Sequence, residues 1–550
     1  MQLVAYGAQD VYLTGMPQIT FFKVVYRRHT NFSVEPIPQT FNGASDFGRT
    51  VTCTINRNGD LITNMYVNIV LGATQAVSTG NEWGFVRRLG LATVQHYKIE
   101  IGGSKLDEQY GDWLNIWYEL SHKTGQERGY AKMVGDVPEL TTINTAGTPQ
   151  YLLYVPLQFW FNRNNGLALP LIALQYHDVR VSIDFRPAAQ VVNKVVGAST
   201  PTVTINDAQL IIDYVYLDSE ERKRFAQASH EYLFEQLQFT GAESLSSINN
   251  KYRLNFNHPS KFLIWAPHLQ KYTSGNQFIA YSPSAPESSD WQTALDKYAK
   301  VMWLATRTGL SAGTPYTVGL PVGVELEVTQ PGKASWVSSL IDSKVQAQAI
   351  FSFDISGSTP TTFTATPDNV VLLSNNFTLA DLSLGGSSSG GLDLLQFGTP
   401  SATATTFVNL HSIVVQDWFN YGNHIDGTDN PVVSAKLQLN GSDRFQERDG
   451  YYFNYVQPWQ HFSNTPADGI NTYSFSLKPE DHQPSGTCNF SRIDNATLQI
   501  TLGSGNVAGS STYLAQTLGG ANGNSLLNIY TVNYNVLRVM AGMAGAAYSN

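Results

Sequence analysis

At 550 residues, with 42% hydrophobic and 12% aromatic side chains, the chain is too long for one compact core and suits two large β domains of about 200–250 residues each. A formal net charge of −9 argues against a nucleic-acid binder, and a charged fraction of 14%, low against the usual ~25%, suggests a surface partly covered by partners. Two cysteines, Cys53 and Cys488, exclude a disulfide framework; each reads as a small buried hydrophobe in a chain matured under reducing conditions.

The opening residues Met1 to Asp10 lack a basic stretch and a long apolar core, so no secretory signal is expected, and no window of about 18 apolar residues would span a membrane. Lys23, Arg27, Arg28 and His29 make a local basic patch, which against the overall charge reads as a solvated loop or subunit contact. Turn signals such as Asn58-Gly59-Asp60 and Asp449-Gly450 separate period-2 runs, among them Val179–Phe185, Val322–Val328, Ala435–Leu439 and Tyr473–Leu477. Many short strands without intervening long helices predict a sandwich or barrel. Trp113, Ile116, Trp117 and Leu120 fall at helical spacing, giving a helix that packs a loop onto the sheet. Asp218 followed by Glu221 is a capping box that opens a short charged helix, the candidate domain junction. Beyond it, about 273–410 is rich in Ser, Thr, Gly and Pro, which predicts long exposed loops. Two weak echoes link the halves: Ile101-Gly102-Gly103-Ser104 with Leu439-Asn440-Gly441-Ser442, and Tyr154–Phe161 with Tyr455–Phe462.

The run Gln483–Asn495 places Cys488, Arg492 and Asp494 close together, as a reactive site would. Yet Pro484-Ser485-Gly486 is a turn cluster, and Ala496, Leu498, Ile500 and Leu502 alternate with polar residues, so the run is a structural corner feeding a strand, with Arg492 and Asp494 as its clasp.

Motif chemistry is sparse. No His-Glu-x-x-His or Cys-x-x-Cys occurs, and His424-Ile425-Asp426 with Gly427–Asn430 lacks the closing glutamate of a calcium loop. Gly102-Gly103-Ser104-Lys105 is no phosphate loop, and Glu325 and Glu327 share one strand face as solvent-facing alternation does. We therefore assign no catalytic residue, metal or cofactor. Of five Asn-x-Ser/Thr sequons (Asn31, Asn376, Asn440, Asn489, Asn495), Asn376 is the best placed for a glycan, although chance explains all five without a signal peptide.

Several segments, in order, resemble the major capsid proteins of large eukaryotic double-stranded DNA viruses. They are Gly7–Gly15, Thr20–Phe32, Asn165–His177, the junction Arg224–Gln227 through His230–Leu233, the 483–495 run and the tail Leu537–Gly545. The resemblance implies an all-β fold: two tandem eight-stranded jelly rolls with long loop insertions and a few short helices. It divides the chain into an N-terminal arm (1–26), a first jelly roll (27–217), a junction helix (218–230) and a second jelly roll (231–550), whose 273–410 loops would form an outer tower. It further implies homotrimers that tile an icosahedral virion shell assembled in the host cytoplasm, with minor capsid proteins and an internal membrane as partners. Lys23, Arg27 and Arg28 would then face the capsid interior. The alternative is a jelly-roll lectin or carbohydrate-active enzyme, with Trp291, Trp336 and Trp418 lining a sugar site.

Overall fold

The computed structural model describes residues 7–78, 81, 83–141, 145–194, 199–270, 281–282, 430–504, 507–509 and 525–548, together with the backbone of strands between 316 and 417. Among the described residues the two main sheets of the first domain are built by strands of alternating polarity, β1 (Phe32–Thr40), β2 (Thr50–Thr54), β3 (Leu61–Leu71), β4 (Val94–Ile101), β5 (Ser104–Tyr110), β6 (Tyr151–Pro156), β7 (Val179–Phe185) and β8 (Ile205–Leu217), with the shorter strands Trp83–Phe85, Leu169–Pro170 and Val192–Lys194 beside them. One sheet runs β1-β8-β3-β6 and the other β2-β7-β4-β5. In β3, Met65, Val67, Ile69 and Leu71 are buried while Tyr66, Asn68 and Val70 between them are half-buried, as a strand with one face on the core requires.

The second domain repeats this with β9 (His230–Phe239), β10 (Asn249–Arg253), β11 (Pro259–His268), β12 (Val432–Leu439), β13 (Ser442–Asp443), β14 (Asn471–Ser474), β15 (Ala496–Ser504) and β16 (Leu526–Met540). Its sheets run β9-β16-β11-β14 and β10-β15-β12-β13. Both domains thus place their first, eighth, third and sixth strands in one sheet and their second, seventh, fourth and fifth in the other, the jelly-roll order.

Three helical segments matter here: α1 (Gly111–Ser121) after β5, α2 (Ser219–Gln227) between the domains, and α3 (Gln457–His461), which continues a π-turn at Tyr452–Val456. Asp218 caps α2 by accepting a hydrogen bond from Glu221 N at 2.9 Å. α1 starts where the backbone is crowded: a Cβ on Gly111 would lie 2.1 Å from Val94 O and 2.2 Å from Leu91 O. Gly111→Ala is therefore expected to cost about 1–3 kcal/mol, read as a lowered denaturant midpoint at unchanged slope.

The first internal echo corresponds to equivalent hairpins. Ile101 pairs with Ser104 and Leu439 with Ser442, and the two turn residues have positive φ in both: 58° and 82° at Gly102 and Gly103, 50° and 82° at Asn440 and Gly441. The second does not, because Tyr154-Val155 lies in β6 whereas Tyr455-Val456 lies in the π-turn. Within the stretch expected to be loop, the backbone forms strands Tyr316–Leu320, Ala347–Ser356 and Phe407–Asp417 in one sheet and Thr362–Thr364 with Asn376–Thr378 in another.

The domains share a core. Phe234 of β9 and Leu537 and Val539 of β16 belong to the first domain's apolar cluster. So does Ala544 of β17 (Met543–Ala546), which turns back onto β16 through Ala541 and Gly542, both at positive φ. Tyr176 N donates to Gly542 O at 3.0 Å, and His177 Nδ1 sits 3.1 Å from Ala544 O.

Candidate functional site

With no motif chemistry to organise it, the site that explains this chain is the seam between its jelly rolls. β11 carries the run Phe262-Leu263-Ile264-Trp265-Ala266, apolar at every position, which is the pattern of a strand buried on both faces. Leu263 and Trp265 face the second domain's core, while Phe262, Ile264 and Ala266 face outward and are covered by Trp113, Ile116, Trp117 and Leu120 of α1. Trp113 lies nearly parallel to Phe262, with centroids 6.3 Å apart, and 5.5 Å from the Tyr530 ring. α1 therefore does more than pack a loop onto its own sheet: it is the wedge joining the domains. Asn464 N donates to Leu120 O at 3.0 Å and closes the far end.

Beside the wedge lies a buried charge cluster. The Glu235 carboxylate on β9 receives Arg163 Nη2 at 2.5 Å, Lys261 Nζ at 2.9 Å and His482 Nδ1 at 3.3 Å. Burial opposes ionisation of Glu235, but Arg163, His482 and Lys261 outweigh it and hold the pKa down at about 2. The Arg163 guanidinium also sits 4.9 Å over the Trp117 ring. A cleft of ≈ 220 Å³ opens next to it, lined by Trp160, Arg163, Leu167, Glu480 and His482 among others.

Asp107 forms a second tie, its Oδ1 accepting Leu237 N at 3.0 Å from across the seam. Burial pushes its pKa up to about 6, against that bond and others from Gln109 and Glu108. In the first domain Arg88 is buried against Glu119 at 2.5 Å, while Asn115 Nδ2 reaches Tyr281 Oη at 3.2 Å. Among the described residues no group of His, Cys, Asp and Glu could hold a metal ion.

The 483–495 run is a corner, held differently from expectation. Cys488 and Asn489 pair with Ser260 and Pro259 of β11, Asn489 Oδ1 accepts Ser491 N at 3.1 Å, and Phe490 is buried against Phe256 and Phe475. Arg492 and Asp494 are exposed and no ion pair joins them; Asp494 contributes its backbone carbonyl, 3.5 Å from Arg253 Nη2. Backbone turns hold a corner more cheaply than two long side chains ordered in water. Cys488 is half-buried, not fully so, and burial raises its pKa. Cys53 is buried in β2, and burial pushes its thiol up to about 11.

Lys23, Arg27 and Arg28 lie on an exposed arm whose apolar residues are also uncovered, Phe22 at 98% exposure. The Asn376 backbone is in a short strand; its side chain, and Trp291, Trp336, Trp418 and His424–Asp429, lie outside the described residues.

Against known proteins, residues 20–218 match the family described as major capsid protein N-terminus, and residues 221–545 match large eukaryotic DNA virus major capsid protein. The chain belongs to this major capsid protein family. It is 43% identical to the major capsid protein of Phaeocystis pouchetii virus and 41% identical to capsid protein 1 of Acanthamoeba polyphaga mimivirus, covering 100% of this chain and 99% of each relative. Its fold superposes on the VP54 structure of PBCV-1 with a TM-score of 0.58 at 33% identity, over 96% of this chain and 100% of that one. The relatives are named as capsid proteins, so this family member is a structural component of a virion capsid and not an enzyme. Glu235, Lys261, Arg163 and His482 escaped the sequence reading; the detectable signal was Lys261, a lone charge leading the apolar run of β11.

Proposed function

We propose that three copies of this chain form a pseudo-hexagonal capsomer, six jelly rolls in a ring, and that such capsomers tile an icosahedral shell assembled in the host cytoplasm. The carrying observation is the tandem of two domains with identical strand order fused by a continuous apolar seam. Homologous identity over the whole length supports the capsid role of the complete unit. In this reading the arm faces the capsid interior. Residues 11–34 contain no Asp or Glu, so exposed Lys23, Arg27 and Arg28 together with uncovered aromatics suit minor capsid proteins or the headgroups of an internal membrane. Light scattering on the purified chain is expected to give the mass of a trimer, and negative-stain images a hexagonal outline; a monomer across micromolar concentrations would refute the reading.

A further inference from the structure

The chain shows how one jelly roll is joined to the next, and it carries the parts to repeat that joint. In the first domain the helix that directly follows the fifth strand is α1, ahead of Glu127–Val134 and Pro138–Thr141, and it covers the outer face of the second domain's β9-β16-β11-β14 sheet. One register row of that covered face reads Leu237–Val532–Phe262–Ser474. The second domain has its own helix between the fifth and sixth strands, Tyr452–Val456 running into α3. Its Phe453 is buried in its own core, whereas Trp459 is 80% and Tyr451 52% exposed, with the Tyr451 and Tyr455 rings 4.7 Å apart. The first domain's equivalent sheet, β1-β8-β3-β6, has an outer row Pro38–Ile211–Tyr66–Pro156, apolar across all four strands. Val70 and Leu152 pair on the same face, beyond the intervening row Thr40–Gln209–Asn68–Tyr154. Leu152 is 44% exposed, and Ile211, Tyr66, Val70 and Pro156 are half-buried. Such a band on the solvent side of a sheet marks an interaction surface.

We infer that the Tyr451–Trp459 side of this helix docks on the outer β1-β8-β3-β6 face of a second copy, repeating between chains the contact α1 makes within one. The occupant is a second copy because the same chain already fills the equivalent face with the equivalent helix. The contact is head-to-tail, and a head-to-tail contact that repeats the internal step closes into a ring instead of stopping at a dimer. Trp459 is the anchor, as large rigid aromatics are in interface centres.

This inference rests on the trimer reading and is tested apart from it. In the full chain, Trp459→Glu and Ile211→Lys should each turn trimers into folded monomers by light scattering, with circular dichroism unchanged. Combined in one chain they should restore trimers, because the carboxylate introduced on the helix of each copy would meet the ammonium introduced on the sheet of the next. Leu152→Lys serves as an independent second variant of the sheet face. Trimers that persist in all three single variants, or monomers that the combination fails to rescue, would overturn the assigned surface while leaving the trimer standing. A monomeric unmodified chain would remove the trimer and this surface with it.

Discussion

Trp113→Ala is expected to lower stability by about 3–5 kcal/mol and to split one cooperative unfolding transition into two. Trp113 is 2% exposed and touches Trp117 of its own helix, Phe262 of β11 and Tyr530 of β16, so its removal leaves a cavity where the domains meet. Phe262 and Tyr530 are fixed on adjacent strands of one sheet and Trp117 on the helix above it, so the rings cannot collapse into the cavity, which places the cost at the upper end for a buried aromatic. Each sandwich keeps most of its own core, while the coupling between them weakens. Differential scanning calorimetry distinguishes the outcomes: a single lowered peak would mean that the shared core around Leu537, Val539 and Ala544 suffices to keep the domains cooperative.

Glu235→Gln should cost a comparable 3–5 kcal/mol, roughly the loss when one partner of a buried ion pair is removed, because Arg163 and Lys261 stay buried without their anion. The pH profile of the unmodified protein carries the same information. Glu235 is depressed from 4.5 to about 2, so its contribution of about 3 kcal/mol is fully present above pH 4.5 and is lost as pH falls toward 2. Asp107 runs oppositely. Its folded pKa of about 6 exceeds the unfolded 3.8, so the folded state takes up the proton first and stability rises as pH falls through 6 toward 3.8. The seam is therefore expected to be most stable near pH 4, between the unfolded values of 3.8 and 4.5, and melting temperatures should be higher at about pH 5 than at about pH 7.5. Asp107→Asn should flatten the neutral limb and leave the acid limb, which belongs to Glu235.

What the sequence revealed depended on distance along the chain. The period-2 runs Val179–Phe185 and Ala435–Leu439, the capped α2 and the Ala496–Leu502 strand are written in neighbouring residues and were legible, whereas only the start of Tyr473–Leu477 is strand and Val322–Val328 lies outside the described residues. The spacing of Trp113, Ile116, Trp117 and Leu120 showed a helix with one apolar side, but its partner, the outer face of β11, lies far downstream and has no local trace in α1. The charge cluster draws on residues 163, 235, 261 and 482, which are too far apart for any short window to join them. Arg492 and Asp494 misled in the opposite way: proximity suggested a pair, whereas the corner is held by an Asn turn and a buried Phe490. Tyr154–Phe161 and Tyr455–Phe462 share letters and take different backbones because the first begins in a paired strand that ends at Pro156 and the second begins in the helix that follows β13.

The turn through Ala541 and Gly542 also governs the order of events during synthesis. His177 and Ala544 are in contact although 367 positions apart, and Leu537, Val539 and Ala544 fill space inside a domain whose own strands end at Leu217. While the ribosome is still translating the second half, the first sandwich has all its strands but lacks part of its interior. A polypeptide released early would keep that slot open, with apolar walls accessible to chaperones and proteases. The first domain is thus buried completely only once the β16–β17 hairpin has been added.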